Sequence, residues 1–219
     1  IVATGGCAAP AHGSNGSGLD LLRSLGHPIV APKPALVPLT AQSPVLPLLQ
    51  GLRTRGTITL ARHTAAGEIL FTEDGLSGIA AMEVSRNATP GAIASLDLLP
   101  EFSPEALTAI IGRWQSECPE MGLAGLLPRR VGEAVCKAAH APADVAATCK
   151  DFRFTITGTR EFPFAQVTAG GADVAAFDPH TLESRLVPGL FACGEALDVD
   201  GGCGGFNLHW AWASALLLK

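Results

Sequence analysis

Apolar and polar positions alternate along this chain with two different periods. Leu19, Leu22 and Leu25 recur at helical spacing behind the cluster Gly13-Ser14-Asn15-Gly16-Ser17-Gly18, which predicts a helix entered from a glycine loop. Ahead of it the β-prone run Ile1-Val2-Ala3-Thr4 meets Gly5-Gly6, so the opening reads as strand, glycine loop, helix, with Gly26 closing the helix. Prolines at Pro28, Pro32, Pro34, Pro38, Pro44 and Pro47 then exclude a helix while allowing extended pieces such as Ala35 to Leu39. The pattern suits a segment crossing between two domains.

From Thr57 to Phe71 the period shortens to two, and Ala65-Ala66-Gly67 reads as the turn of a hairpin. Gly75 to Gly78 leads into a short helix over Ile79 to Arg86 that Ser77 is placed to cap, and Ala94 to Leu99 predicts a strand stopped by Pro100. Ser103-Pro104-Glu105 supplies an N-cap, a first-turn proline and a first-turn acid, and Leu107, Ile110, Ile111 and Trp114 follow at helical spacing. A further helix is expected after Pro128, a strand over Asp151 to Thr157, β-like pieces at Val174 to Phe177 and Leu190 to Cys193, and a packed final helix from Gly205 to Leu217. No internal repeat is present.

With 219 residues, 47% of them hydrophobic, the chain is long enough for one or two compact domains. Fifteen Lys and Arg against twenty Asp and Glu, with no basic run longer than Arg129-Arg130, argue against a nucleic-acid surface. An anionic ligand would have to be held by backbone amides. The longest apolar run, near Ala211 to Leu218, is less than half of the roughly 20 residues a membrane span needs, so no membrane partner is expected. The start has neither an initiator Met nor a signal peptide and reads as the middle of a strand, so the chain is expected to be part of something longer.

Cys7, Cys118, Cys136, Cys149, Cys193 and Cys203 contain no C-x-x-C pair and read as buried or partly buried free thiols of a reducing cytoplasm. The histidines never pair at i, i+4, so no metal site is expected.

The densest chemistry runs from Leu190 to Ala211. An apolar strand ends in Gly194-Glu195, the acids Glu195, Asp198 and Asp200 follow closely, and the loop Gly201-Gly202-Cys203-Gly204-Gly205 opens a helix. A glycine-rich turn at a helix start offers unpaired N–H groups and the positive end of the helix dipole to an electron-rich ligand. No Gly-Lys-Ser or Gly-Lys-Thr follows, so the loop is not a Walker A. Glu195 and Asp198 stand just past a strand's carboxyl end, where open α/β sheets place ligands and where a carboxylate can accept from ribose or ribityl hydroxyls. The bland alternative is that the glycines serve a tight turn and the acids are solvated.

These residues lie inside a longer set: Ala3-Thr4-Gly5-Gly6, the 13–18 loop, Gly26-His27, Pro34 to Leu39, Gly67 to Thr72, Gly75 to Gly78, Val167-Thr168-Ala169-Gly170-Gly171, Thr181 to Arg185, and Gly194 to Trp210. In these the sequence resembles the bacterial HI0933-like flavoproteins, the BaiN-type or aminoacetone-oxidase-type FAD-dependent oxidoreductases, nearly end to end. The resemblance implies an α/β plus α+β chain: a split, here partial, Rossmann-like FAD-binding domain with an inserted β-barrel-like domain carrying a small helical part. It places residues 1–33 in the FAD domain, 34–164 in the insert and 165–219 in the C-terminal return. It also implies FAD held by Thr4, Gly5, Gly6, Gly194, Glu195, Asp198, Gly204, Gly205, Asn207 and Leu208, with NAD(P)H a candidate electron donor and a small molecule as substrate. The family's G-x-G-x-x-G fingerprint is not in this sequence.

Departures fall on the substrate side. His209 stands where the family has Gln, Arg185 where it has Lys, Ala8-Ala9-Pro10 where it has Ser-Tyr-Pro, and Leu19-Asp20 where an aromatic follows the glycine loop. No general base is named; His209 is either a titratable group near the cofactor or a packed core residue. Two other functions compete with the oxidoreductase: a non-catalytic ligand- or partner-binding piece built on the insert, and a thiol redox protein using Cys193 and Cys203, which the missing C-x-x-C disfavours.

Overall fold

The computed structural model describes residues 1–118 and 122–218. Lys219, the end of the expected C-terminal return, and residues 119–121 of the expected insert lie outside the described residues. Along the chain run α1 (Ser17–Ser24), β1 (Ile29–Ala35), β2 (Leu39–Gln42), α2 (Leu46–Leu49), β3 (Arg53–Leu60), β4 (His63–Phe71), β5 (Gly75–Ser77), α3 (Ile79–Val84), β6 (Ile93–Asp97), α4 (Pro104–Glu117), α5 (Arg129–Ala138), α6 (Val145–Lys150), β7 (Phe152–Thr159), β8 (Val167–Ala172) and α7 (Phe206–Leu217). They form two units, residues 1–37 with 160–219, and residues 38–159.

In the second unit six strands close into a barrel in the order β2-β5-β4-β3-β6-β7. Period-two patterning builds it: Ile58 and Leu60, Ile69 and Phe71, Ala94 and Leu96, and Phe152, Phe154 and Ile156 point inward and are buried. Phe154 packs edge-on to Phe152 at 5.0 Å and against Phe71 at 5.8 Å. Helices α2, α4, α5 and α6 extend the same core through Leu49, Leu107, Val131, Val135 and Cys149. Lys150 anchors them: its ammonium donates to the carbonyls of Leu99 at 2.9 Å and Phe102 at 2.8 Å and pairs with Asp97 at 2.6 Å.

Several local expectations are corrected. The hairpin reverses at Ala61-Arg62, with Leu60 opposite His63, so Ala65 to Gly67 lie within β4. Gly67, at φ 151°, stands against α3, where a Cβ would make an ordinary 3.7 Å contact with Ile79. Ser77 belongs to β5, and the cap of α3 is Gly78 at φ 87°, with no side-chain cap. Pro47 does not prevent α2, because it occupies the first turn, where no intrahelical donor is required. Ala35 to Leu39 is interrupted at Leu36, φ 46°. Val174 to Phe177 starts as a 3₁₀ turn because the Asp173 carboxylate accepts the Ala175 N–H at 2.9 Å. Helix α4 begins as expected, its N-cap Ser103 accepting from Ala106 N–H at 3.2 Å.

Within the first unit β1 and β8 pair antiparallel. Its core gathers Val2, Leu22, Ala172, Phe177, Leu182, Ala192, Ala196 and Leu197. Two of the motifs meet there across 157 residues: His27 Nε2 lies 2.8 Å from Ser184 Oγ, its Nδ1 3.2 Å from the Leu22 carbonyl, and its ring stacks on Phe177 at 5.0 Å. A carbonyl only accepts, so Nδ1 carries the proton, and Ser184, which accepts N–H bonds from Leu186 and Val187, donates its own to Nε2. Helix α7 corrects the expectation of a packed final helix. Its fully buried residue is Ser214, while Leu208, Trp212 and Leu216 are 72%, 73% and 78% exposed.

Candidate functional site

The site is built in the first unit. Val2 lies beside Ala192 in a parallel bridge, its N–H donating to Phe191 O at 2.7 Å and its carbonyl accepting from Cys193 N–H at 3.0 Å. Both chains leave this bridge through glycine. Past Val2 the chain turns at Gly5, φ 71°, and past Cys193 it turns at Gly194, φ 66°.

The first of these turns is the Thr4–Ala8 loop. The Gly6 carbonyl accepts from Gly16 N–H at 3.2 Å, tying the loop to the start of α1. The Cys7 and Ala8 amides donate to Thr168 Oγ1 at 2.8 and 3.0 Å, and the Thr168 N–H donates to Glu195 Oε1 at 2.9 Å. Gly6 is buried against this pair: an added Cβ would lie 2.6 Å from Thr168 Cβ and 2.7 Å from Glu195 Oε1. Gly18 likewise faces Thr4 so closely that a Cβ would collide with its side chain.

Glu195 is partly buried, and desolvation pushes its carboxyl above the usual 4.5; the hydrogen bonds from Thr168 oppose that shift, and the Asp200 charge adds to it. Among the described residues no group hydrogen bonds to its Oε2. That oxygen is left to accept from a ligand.

The second turn is locked to α7. Gly194 N–H donates to Ser214 Oγ at 2.9 Å, Ser214 donates on to Trp210 O at 2.7 Å, and the Trp210 indole returns a bond to Gly194 O at 3.1 Å. The start of α7 is then set by Asn207. Its Oδ1 accepts from Gly201 N–H at 2.8 Å, and its Nδ2 donates to Gly201 O at 3.0 Å and Gly202 O at 3.3 Å. The Asn207 side chain therefore clamps the glycine loop.

Gly204 and Gly205 follow at φ 111° and 91°, and Gly205 is the N-cap. Their backbone conformation selects glycine at Gly205; among the described residues, its own chain neighbours aside, nothing lies within 4 Å of a Cβ there, so the helix start opens on free space. The N–H groups of Phe206, Asn207 and Leu208 have no acceptor one turn earlier. A flat, electron-rich ring edge fits such a helix start, and polyhydroxyl chains suit the Oε2 of Glu195.

The structure thus brings Gly6 and Glu195 together and joins Gly194 to α7. Asp198, partly buried, is held by its N–H on Ala172 O at 2.9 Å, and no hydrogen bond links its carboxylate to the network among the described residues. His209 is exposed, not packed in the core. Of the thiols, Cys149 and Cys193 are buried and Cys7 and Cys203 partly so, but Cys118 and Cys136 are exposed, against expectation. Burial pushes the Cys149 thiol up to about 12 and raises that of Cys193. The residues that sequence reading left without a role are Thr168, Trp210 and Ser214. Thr168 and Trp210 fall inside quoted motifs, yet spacing alone does not reveal which groups across the fold they bond.

The family model of the HI0933-like protein Rossmann domain matches residues 1–218. Among curated proteins the chain is 35% identical to a 3-dehydro-bile acid delta(4,6)-reductase of Clostridium scindens, covering 99% of this chain and 60% of that protein. It is 33% identical to the ribosomal RNA dihydrouridine synthases of Escherichia coli and Haemophilus influenzae, covering 98% of this chain and 58% of each. The chain spans about three fifths of the length of these relatives. With the family model matching nearly every residue, the chain belongs to the HI0933-like family of Rossmann-type proteins.

Proposed function

We propose that this chain holds the isoalloxazine and ribityl end of FAD in a flavin-dependent oxidoreductase. The observation that carries the reading is the glycine-led start of α7, clamped by Asn207 and open in front of Gly205, in a chain of a family of flavoproteins. Bound there, the flavin supplies hydride or electron transfer. The protein supplies the rest. The amides of Phe206 to Leu208 stabilise negative charge on the pyrimidine side of the ring, Thr4 to Gly6 admit a close backbone approach, and Glu195 accepts from a ligand hydroxyl.

The names of the relatives are those of a reductase and of enzymes that make a dihydro product, and reduction of an unsaturated substrate with NAD(P)H as electron source is the reaction class we assign. A small-molecule substrate fits the net charge of −5 better than a nucleic acid does. The competing reading, a non-catalytic binding piece, gives no use to an α7 start held open by three hydrogen bonds from Asn207.

The test is reconstitution. The chain, and a longer form matching the relatives' length, are mixed with FAD, FMN or riboflavin, freed of unbound flavin by gel filtration, and read by flavin absorbance and fluorescence. FAD is expected to stay bound in preference to the other two in the longer form. Absence of flavin from both forms overturns the reading.

A further inference from the structure

Thr168 is a buried polar residue, 1% exposed, at the second position of β8. Its hydroxyl oxygen accepts the two consecutive amides of Cys7 and Ala8, at 2.8 and 3.0 Å. Two accepted bonds occupy both lone pairs of that oxygen. The Thr168 N–H reaches the Glu195 carboxylate at Oε1, 2.9 Å away. One residue thereby holds a loop by its hydroxyl and a carboxylate by its backbone N–H.

We infer that Thr168 is the positioning residue of the site: it fixes the Thr4–Ala8 loop against β8 and orients Glu195 so that Oε2 is the oxygen presented to a ligand hydroxyl. For the ligand's identity the inference rests on the flavin reading; the contacts that carry it do not. Apolar side chains of the same size cannot replace the threonine, because both amides would lose their acceptor at once inside a buried site. Gly6 completes the arrangement, since any side chain there would strike both Thr168 and Glu195.

Three substitutions separate the oxygen from the shape. Thr168→Ser and Thr168→Ala both lack the γ-methyl and differ from one another by the oxygen alone, so a shared folding defect cancels between them; Thr168→Val keeps the shape without the oxygen. Amide hydrogen exchange at Cys7 and Ala8 in the 219-residue chain reads the loop with no flavin present. FAD binding reads the ligand side.

We expect Thr168→Ser to stay within about twofold of the unsubstituted chain in both readouts, and Thr168→Ala and Thr168→Val to speed exchange at both amides and weaken FAD, each by roughly tenfold or more. Equal exchange in the Ser and Ala variants overturns the inference, as does unaltered FAD affinity in the Ala variant. If neither the unsubstituted chain nor its longer form retains FAD while Thr168→Ala still loosens the two amides, the loop anchor is supported and it is the flavin reading that falls.

Discussion

Glu195 is partly buried in a place that disfavours its charge, and this gives it opposite effects on stability and on binding. Because burial raises its carboxyl above the usual 4.5, the folded chain holds its proton more tightly than the unfolded chain does. Its contribution to stability is therefore present below about 4.5 and is lost as pH rises through the raised folded value. Glu195→Gln keeps an oxygen for the Thr168 N–H but removes the charge. We expect its melting temperature to exceed that of the unsubstituted chain at neutral pH, with the two converging in acid, while FAD binding weakens by about 1–3 kcal/mol as the ionised acceptor is lost. Thermal melts from pH 4 to 8 alongside flavin titration check both; a variant less stable at neutral pH would show that Glu195 is held chiefly as an ion. The sequence made Glu195 visible, since an acid just past a strand's end is a chemical signal. It did not make Thr168 visible, because a threonine inside Val167-Thr168-Ala169-Gly170-Gly171 looks like any strand residue until Cys7 and Ala8 are folded onto it.

The same contrast holds for whole elements. Helix α4 was legible because Ser103, Pro104 and the Leu107–Ile111 spacing all act within a few residues. Strand β7 was legible because burial on one face of a barrel imposes period two on Phe152, Phe154 and Ile156. The misread elements were decided from farther away. The hairpin turn falls at Ala61-Arg62 because β3 and β4 pair without a break from Arg53–Leu70 to Leu60–His63, and the bend at Val174 reflects one hydrogen bond to Asp173. The glycine loop ahead of α7 is an intermediate case: Gly204 and Gly205 mark the turn, but spacing does not show that Asn207, expected at the cofactor, also ties the loop together with three hydrogen bonds. Asn207→Ala is expected to destabilise the chain by about 1–3 kcal/mol and to lower FAD affinity. Asn207→Asp keeps the acceptor for Gly201 N–H, loses the two donors and should fall between. A melt and a flavin titration on both variants decide it; unchanged melting together with lost flavin would mean that the side chain meets the ligand after all.

At the scale of the whole molecule, the barrel unit has what an independent fold requires. Its six strands close on themselves, so no strand edge is left to pair elsewhere, and its core from Leu39 to Ile156 is drawn wholly from residues 38–159. The chain enters and leaves at one place, because Leu39 and Thr159 are partners in the β2–β7 register. Cutting at these points removes no strand and separates no pair of core residues. We therefore expect residues 38–159, expressed alone, to fold cooperatively and to bind no flavin, since Thr4 to Gly6, Glu195 and α7 lie in the other unit. The core supplies an internal control: Phe154 touches both Phe71 and Phe152, and Phe154→Ala should destabilise the excised barrel by about 3–5 kcal/mol. Circular dichroism, a thermal melt and a flavin titration of the excised unit test this. A broad, uncooperative melt, insensitive to Phe154→Ala, would show that the barrel depends on residues outside 38–159.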